Sequence, residues 1–267
     1  MSARPVQTLY LSHGGGPLPL LGDESHSGML ENLQAIAGKL RKPSAILLVS
    51  AHWEEDVVSI TSAAEPGLIY DYYGFPEESY SIQYPCPGFP QLAQQVHEAI
   101  QQEGIDARLD AGRGFDHGMF VPLKIMYPAA DIPCVQVSLQ RHYDPKLHIN
   151  IGKVLSRVAS QDTLIIGSGF SFHNMQAFFG EPKTNADSMN EAFESWLIET
   201  CSSREMDESQ RMERLLNWDW APHARFCHPR EEHLMPLHVC YGARQSACTE
   251  HFEVNILRKK SSTYLWQ

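Results

Sequence analysis

The sequence lacks most of the features that announce a partner. Its 267 residues carry 21 Lys and Arg against 32 Asp and Glu, a formal net charge of −11. Specific nucleic-acid binding normally needs a basic face. Here the one local basic run is Arg258-Lys259-Lys260, so no nucleic-acid partner is expected. No apolar run approaches the roughly 20 residues that span a bilayer, so no membrane partner is expected either. No CxxC pair occurs among the six cysteines, at 86, 134, 201, 227, 240 and 248, which excludes a zinc knuckle or a thioredoxin-type motif. Free buried thiols in a reducing cytoplasm are the simpler reading. Met1-Ser2-Ala3-Arg4-Pro5 opens the chain without an apolar core and small-residue cleavage site, which also points to the cytoplasm.

Two familiar loop motifs fail as well. Gly14-Gly15-Gly16 is followed by Pro17 and not by the Gly-Lys-Ser/Thr ending of a phosphate loop. Gly167-Ser168-Gly169 has Ile166 where a nucleophile elbow needs glycine, so a serine hydrolase is not expected.

What the sequence does have is histidine, 13 residues of it. Their placement depends on the fold. Apolar runs at Val6 to Ser12, Ser44 to Ser50, Ile132 to Leu139 and Thr163 to Ser168 read as strands, with further strand candidates at Val57 to Ser62, Ala107 to Leu109, Phe252 to Leu257 and Thr263 to Trp266. Between them, Met29 to Leu40, Leu92 to Gln102, Pro145 to Ala159 and Ala186 to Cys201 have helical spacing. Pro229 is expected to open a last helix that runs through Tyr241 and stops at Gly242. The aromatic and Pro-rich stretch from Ile69 to Pro90 reads as a long packed loop. This alternation predicts one α/β domain over residues 1–267, with a central, mainly parallel or mixed sheet flanked by helices.

In such sheets ligands bind at the carboxyl ends of the strands. His13 and His52 follow two buried strands, and His173 follows a third. His117 falls in an Asp116-His117-Gly118 turn, and His233 one turn into the expected last helix. Convergence of His13, His52 and His233 on a metal is the expectation. His26, His97, His142, His148 and His251 are expected to be mostly solvated, His238 to be packing, and His228 to cap the helix or line the site.

Seven boxes then carry a resemblance. They are Ser12-His13-Gly14-Gly15, Ser50-Ala51-His52-Trp53, Tyr70-Asp71-Tyr72-Tyr73-Gly74-Phe75-Pro76, Tyr84-Pro85-x-Pro87-Gly88, Gly114-Phe115-Asp116-His117-Gly118, Ser168-Gly169-x-x-x-His173-Asn174 and His228-Pro229-Arg230-Glu231-Glu232-His233-Leu234-x-Pro236-Leu237. In this order, over about residues 8 to 257, the chain resembles the 4,5-DOPA extradiol dioxygenase family, the LigB-like class III ring-cleaving enzymes. The resemblance implies a metal held by His13, His52 and His233, with the fourth position left to His173 or to water. It implies that His173 is the acid–base residue, a task that suits histidine, and that His117 lines the substrate pocket. His228 and Glu232 are expected just behind the ligands, and Tyr72 and Phe75 in the pocket wall.

Glu231 or Glu232 remains an alternative third ligand, because many extradiol enzymes use two histidines and a carboxylate. The implied reaction opens a catechol, DOPA-like, with O₂ to a muconic semialdehyde. It needs Fe(II), since zinc is not redox active, although Zn(II) is the ion a purified sample could carry. A hydrolase using three-histidine zinc, and a non-catalytic adaptor on the same scaffold, are the alternatives.

Overall fold

Successive residues of the apolar runs turn to opposite faces of one sheet. Leu9, Leu11, Ile46, Leu48, Leu164 and Ile166 join one hydrophobic layer; Tyr10, Leu47, Val49 and Ile165 join the other. That is the two-residue repeat of strands covered on both sides. The computed structural model describes residues 5–180 and 185–267. Among these the strands are β1 (Gln7–Ser12), β2 (Ala45–Glu55), β3 (Val58–Thr61), β4 (Ala107–Asp110), β5 (Cys134–Gln140), β6 (Thr163–Gly169), β7 (Glu250–Ile256) and β8 (Lys259–Trp266). They form one sheet in the order β4-β3-β5-β2-β6-β1-β8-β7. The pairs β5-β2, β2-β6 and β6-β1 at its centre are parallel. Antiparallel pairs follow on either side, β3 with β5, β8 with β1 and β7 with β8, so the sheet is mixed.

The helices are α1 (Ser27–Lys39), α2 (Pro90–Gln102), α3 (His117–Met126), α4 (Pro145–Val158), α5 (Met175–Phe179), α6 (Ala186–Ser202), α7 (Glu208–Leu216), α8 (Ala224–Cys227) and α9 (Met235–Arg244). Buried residues of α1 and α3 complete the first layer, and those of α2, α4, α6 and α9 the second. No helix among the described residues is long and apolar enough to cross a membrane. All six cysteines are buried and free.

Three local expectations change. The strand before His52 does not stop at Ser50: β2 continues to Glu55. Its pairing with β5 jumps from Val49↔Val137 to Glu54↔Leu139, so His52 sits on a bulge, a device that re-aims a side chain. His117 is the first residue of α3 and not part of a turn. The last helix opens at Met235, with Pro236 in its first turn, and ends at Arg244. The stretch from Pro229 cannot join it, because the His233 carbonyl accepts from Phe170 N at 3.1 Å and Tyr10 Oη at 3.0 Å. That oxygen is therefore committed outside any helix ladder. Gly169 permits this crossing: a Cβ there would stand 2.1 Å from the same carbonyl oxygen.

One buried acid lies away from the histidines. Glu194 on α6 is 1% exposed and accepts from Ser262 Oγ, while its Oε1 has no partner. Burial pushes its carboxyl up to about 7, and the neighbouring Ser171 and Ser262 hydroxyls offset only part of that. A folded-state value above the unfolded one means that stability from this group is complete below about pH 4.5 and is lost as pH rises through about 7. The loss is at most about 3 kcal/mol. Glu194→Gln is therefore expected to gain melting temperature over the parent progressively between pH 5.5 and 8. A gap that stays constant across that range would remove the assignment.

Candidate active site

Because β2, β6 and β1 are parallel neighbours, the segments leaving them meet at one edge of the sheet. His13, on the residue after β1, is 1% exposed, and its Nε2 lies 3.0 Å from His52 Nε2. His13 and His233 ring centroids are 5.2 Å apart, and His52 and His233 5.0 Å. One ring nitrogen from each of His13, His52 and His233 falls within 4.8 Å of the other two. His173 stacks on His233 with centroids 3.4 Å apart and planes 18° from parallel. His117 lies 3.9 Å from His52, centroid to centroid.

The partners behind these rings fix their tautomers. Ser168 Oγ donates to the Gly118 carbonyl, so it accepts from His13 Nδ1 at 3.0 Å. The lone pair of His13 is then on Nε2, facing the cluster. His233 Nδ1 donates to Glu232 Oε1 at 3.0 Å, which likewise turns its Nε2 lone pair outward. Glu232 Oε1 also lies 3.2 Å from His173 Nδ1. Burial pushes the Glu232 carboxyl up, but hydrogen bonds from His173 and His233 outweigh it and hold it well below the usual carboxylate range. Asp71 Oδ1 accepts from His117 N at 2.9 Å and His117 Nδ1 at 2.8 Å.

Burial first, and the neighbouring imidazoles second, hold His13 and His52 well below the ordinary histidine value, and the same causes take His233 down to about 3. Three neutral imidazoles aimed at one point, each short of a proton it could share, suit a divalent cation such as Zn(II) or Fe(II). The carboxylate–histidine pair of Glu232 and His233 is the support such a ligand commonly has.

These rings line a cavity of about 320 Å³, together with Gly14 to Gly16, Leu18, Tyr72, Phe75, Phe170, Met175, Phe178, Phe179 and Leu257. A larger cleft of about 720 Å³ lies between α1 and β7, lined by Glu24, Glu31, Glu253, Arg258 and Lys260 among others. It holds no histidine, so the chemistry belongs to the smaller cavity.

The structure thus brings together His13, His52, His117, His173, His233, Glu232, Tyr72 and Phe75. His228 stands behind this group, near enough for its charge to act on His233 and His173. It is fully buried against Phe193 and Trp218, its Nε2 2.7 Å from the Ser171 carbonyl, and it does not line the cavity. Glu231 pairs with Arg225 at 2.6 Å. His238 is core packing, as expected. Among the histidines expected to be solvated, His142 and His251 are exposed, but His97 is half-buried and His26 and His148 are fully buried. His26 braces the glycine loop, with Nδ1 2.9 Å from Asp23 Oδ1 and Nε2 accepting from Gly15 N at 3.0 Å. His148 Nδ1 lies 2.8 Å from the Asp144 carbonyl and its Nε2 accepts from Gln140 N at 3.2 Å.

Asp71, Ser168 and the wall residues Phe170, Met175, Phe178 and Phe179 were not expected in the site. Asp71 had a signal, as the one carboxylate inside the aromatic box. Ser168 had none beyond its rejection as a nucleophile. Ser168→Ala leaves His13 Nδ1 without its acceptor and is expected to weaken metal binding roughly 10–100-fold. Chelator competition checks this, and unchanged affinity would mean that the serine does not set the ring.

A cavity of convergent neutral imidazoles at the carboxyl ends of parallel strands places the chain among α/β enzymes of metal-site type. Comparison with known proteins gives the family. The model of the catalytic LigB subunit of aromatic ring-opening dioxygenase matches residues 7–265, and the chain belongs to this family. It is 40% identical over 260 residues to dioxygenase tasH of Hapsidospora irregularis, covering 91% of this chain and 79% of that protein. It is 35% identical over 238 residues to the 4,5-DOPA dioxygenase extradiol of Mirabilis jalapa, covering 88% and 86%. A crystal structure of an uncharacterized Escherichia coli K12 protein aligns with a TM-score of 0.74 at 27% identity, covering 98% of this chain and all of the other. The chain is accordingly an enzyme of the oxygenase type, with the metal dependence of its family and an aromatic substrate and O₂ as its reactants.

Proposed function

We propose that the 267 residues act as one catalytic domain that opens a catechol-type aromatic ring beside its diol, incorporating O₂ and giving a muconic semialdehyde. The observation that carries this reading is the convergence of His13, His52 and His233, with His173 stacked 3.4 Å over His233, on the floor of a largely apolar cavity. His13, His52 and His233 would hold the metal. Bound Fe(II) would supply the one-electron chemistry that lets O₂ react with an aromatic diol, and Zn(II) would fill the same donors without it.

The remaining steps belong to the side chains. His173 takes the diol proton at Nε2, while Glu232 faces its Nδ1 and holds the ring in place. The same nitrogen returns a proton as the ring opens. His117, tethered by Asp71, stands at the wall and positions the diol oxygens. Tyr72 and Phe75 pack edge to face, 5.5 Å apart, and exclude water from the ring. The reducing cytoplasm is the compartment that six free buried thiols favour.

The test is anaerobic loading with Fe(II), followed by catechols in air. Stoichiometric O₂ uptake with a yellow semialdehyde is expected. No uptake with any catechol, and hydrolysis of an ester or amide by the zinc form, would overturn the reading.

A further inference from the structure

We propose that the substrate is a catechol bearing an uncharged hydrophobic substituent, and not one bearing an amino-acid or acid side chain. The inference rests on the ring-opening reading and concerns the part of the substrate that does not react. Around the histidine floor the cavity is walled by Leu18, Phe170, Met175, Phe178, Phe179 and Leu257. Among the described residues, no Lys, Arg, Asp or Glu side chain lines it.

Of the charged groups nearby, four are already engaged, and Arg258, next to Leu257, lines the separate cleft between α1 and β7. Asp71 and Glu232 accept from the histidines in front of them. Arg113 pairs with Asp116 at 3.1 Å and lies over the Trp53 ring. Arg230 pairs with Glu54. The polar tip of the wall is spent too, since Tyr72 Oη donates to the Ser79 carbonyl at 2.6 Å.

A zwitterionic tail would therefore enter an apolar space with no ion among the described lining residues to meet its carboxylate, a costly desolvation. A hydrocarbon tail has the opposite prospect. The histidines at the floor are buried or half-buried, whereas Met175 and Phe179 on α5 are 57% and 65% exposed at the mouth. Two large apolar side chains left uncovered on one short helix, continuous with the cavity wall, mark the place where such a tail comes to rest.

The experiment compares kcat/KM, by O₂ uptake of the Fe(II)-loaded protein, for catechol, 4-methyl-, 4-ethyl- and 4-butylcatechol against L-DOPA and 3,4-dihydroxyphenylacetate. Each added methylene is expected to raise kcat/KM about threefold to fourfold, from ~0.8 kcal/mol per buried CH₂. L-DOPA is expected at least tenfold below 4-butylcatechol. Equal or better turnover of L-DOPA or dihydroxyphenylacetate would overturn the proposal and leave ring opening intact.

A second arm measures binding of the same compounds to the Zn(II)-loaded protein by calorimetry, where no turnover intervenes. The same ranking there, with no turnover by the iron form, would sink ring opening and keep the apolar specificity. Phe179→Arg, at an exposed position that folding tolerates, is expected to raise dihydroxyphenylacetate relative to 4-butylcatechol by tenfold or more. An unchanged ratio would remove the mouth as the determinant.

Discussion

His173→Ala is expected to keep its metal and lose turnover by roughly 10²–10⁴-fold, the range removed with a positioned general acid–base. The two halves of that expectation have separate structural grounds. Metal retention is expected because the ion is assigned to His13, His52 and His233, whose ring nitrogens lie within 4.8 Å of one another, while His173 falls in a second such group with Glu232 and His233. Loss of turnover follows because His173 is the half-buried imidazole beside them that has a carboxylate behind it, Glu232 at 3.2 Å from its Nδ1. A merely structural role would act through His233, on which the ring stacks, and would loosen the metal. Metal content after exhaustive dialysis, together with separate kcat and KM values, distinguishes the two. Full activity of the variant would end the acid–base assignment, and loss of metal would replace it with a structural role in support of His233.

Most of the architecture behind that prediction was legible before any coordinates. The runs ending at Ser12, Ser50 and Ser168 are almost unbroken apolar sequence, which marks strands covered on both faces. Parallel neighbours deliver their next residues to one edge. His13, His52 and His173 are thereby brought together by strand order alone, without reference to any relative. His233 was joined to them from a place one turn into an expected last helix, and again by its motif, although that helix opens only at Met235. Pro229 is an apt helix opener, and only the tertiary use of the His233 carbonyl by Phe170 and Tyr10 keeps the segment non-helical.

The supporting residues were not legible for a similar reason. Ser168 matters because the Gly118 carbonyl takes its proton, a contact between residues 50 apart in sequence. The buried histidines His26 and His148 read as polar surface because burial of an imidazole depends on what closes over it. His26 owes its burial to Asp23 and the glycine loop. The apolar mouth was invisible because α5 has five residues, too few to show a period.

His233→Ala is expected to lose the metal, with affinity falling well beyond the roughly 10–100-fold typical of removing a supporting partner. The residue joins two roles that can be separated. Its Nε2 faces the cluster, and its Nδ1 donates to Glu232 at 3.0 Å. Glu232→Gln should therefore reproduce only the supporting part, because the amide still offers an oxygen to Nδ1 but carries no charge to strengthen that bond. The ordering His233→Ala weaker than Glu232→Gln, and both weaker than the parent, is what three imidazole ligands with one carboxylate behind them require. If Glu232 itself were the third ligand, the order would reverse, since the carboxylate oxygen would be lost from the metal and the imidazole would remain. Metal stoichiometry by elemental analysis reads the difference directly. Circular dichroism of the metal-free proteins shows whether either variant has failed to fold. The Glu232 carboxylate is 6% exposed and held ionised by His173 as well as His233, so removing one histidine leaves it with the other. His233→Ala therefore has a partner for every charge it leaves behind, and its defect should appear in the metal and not in the fold.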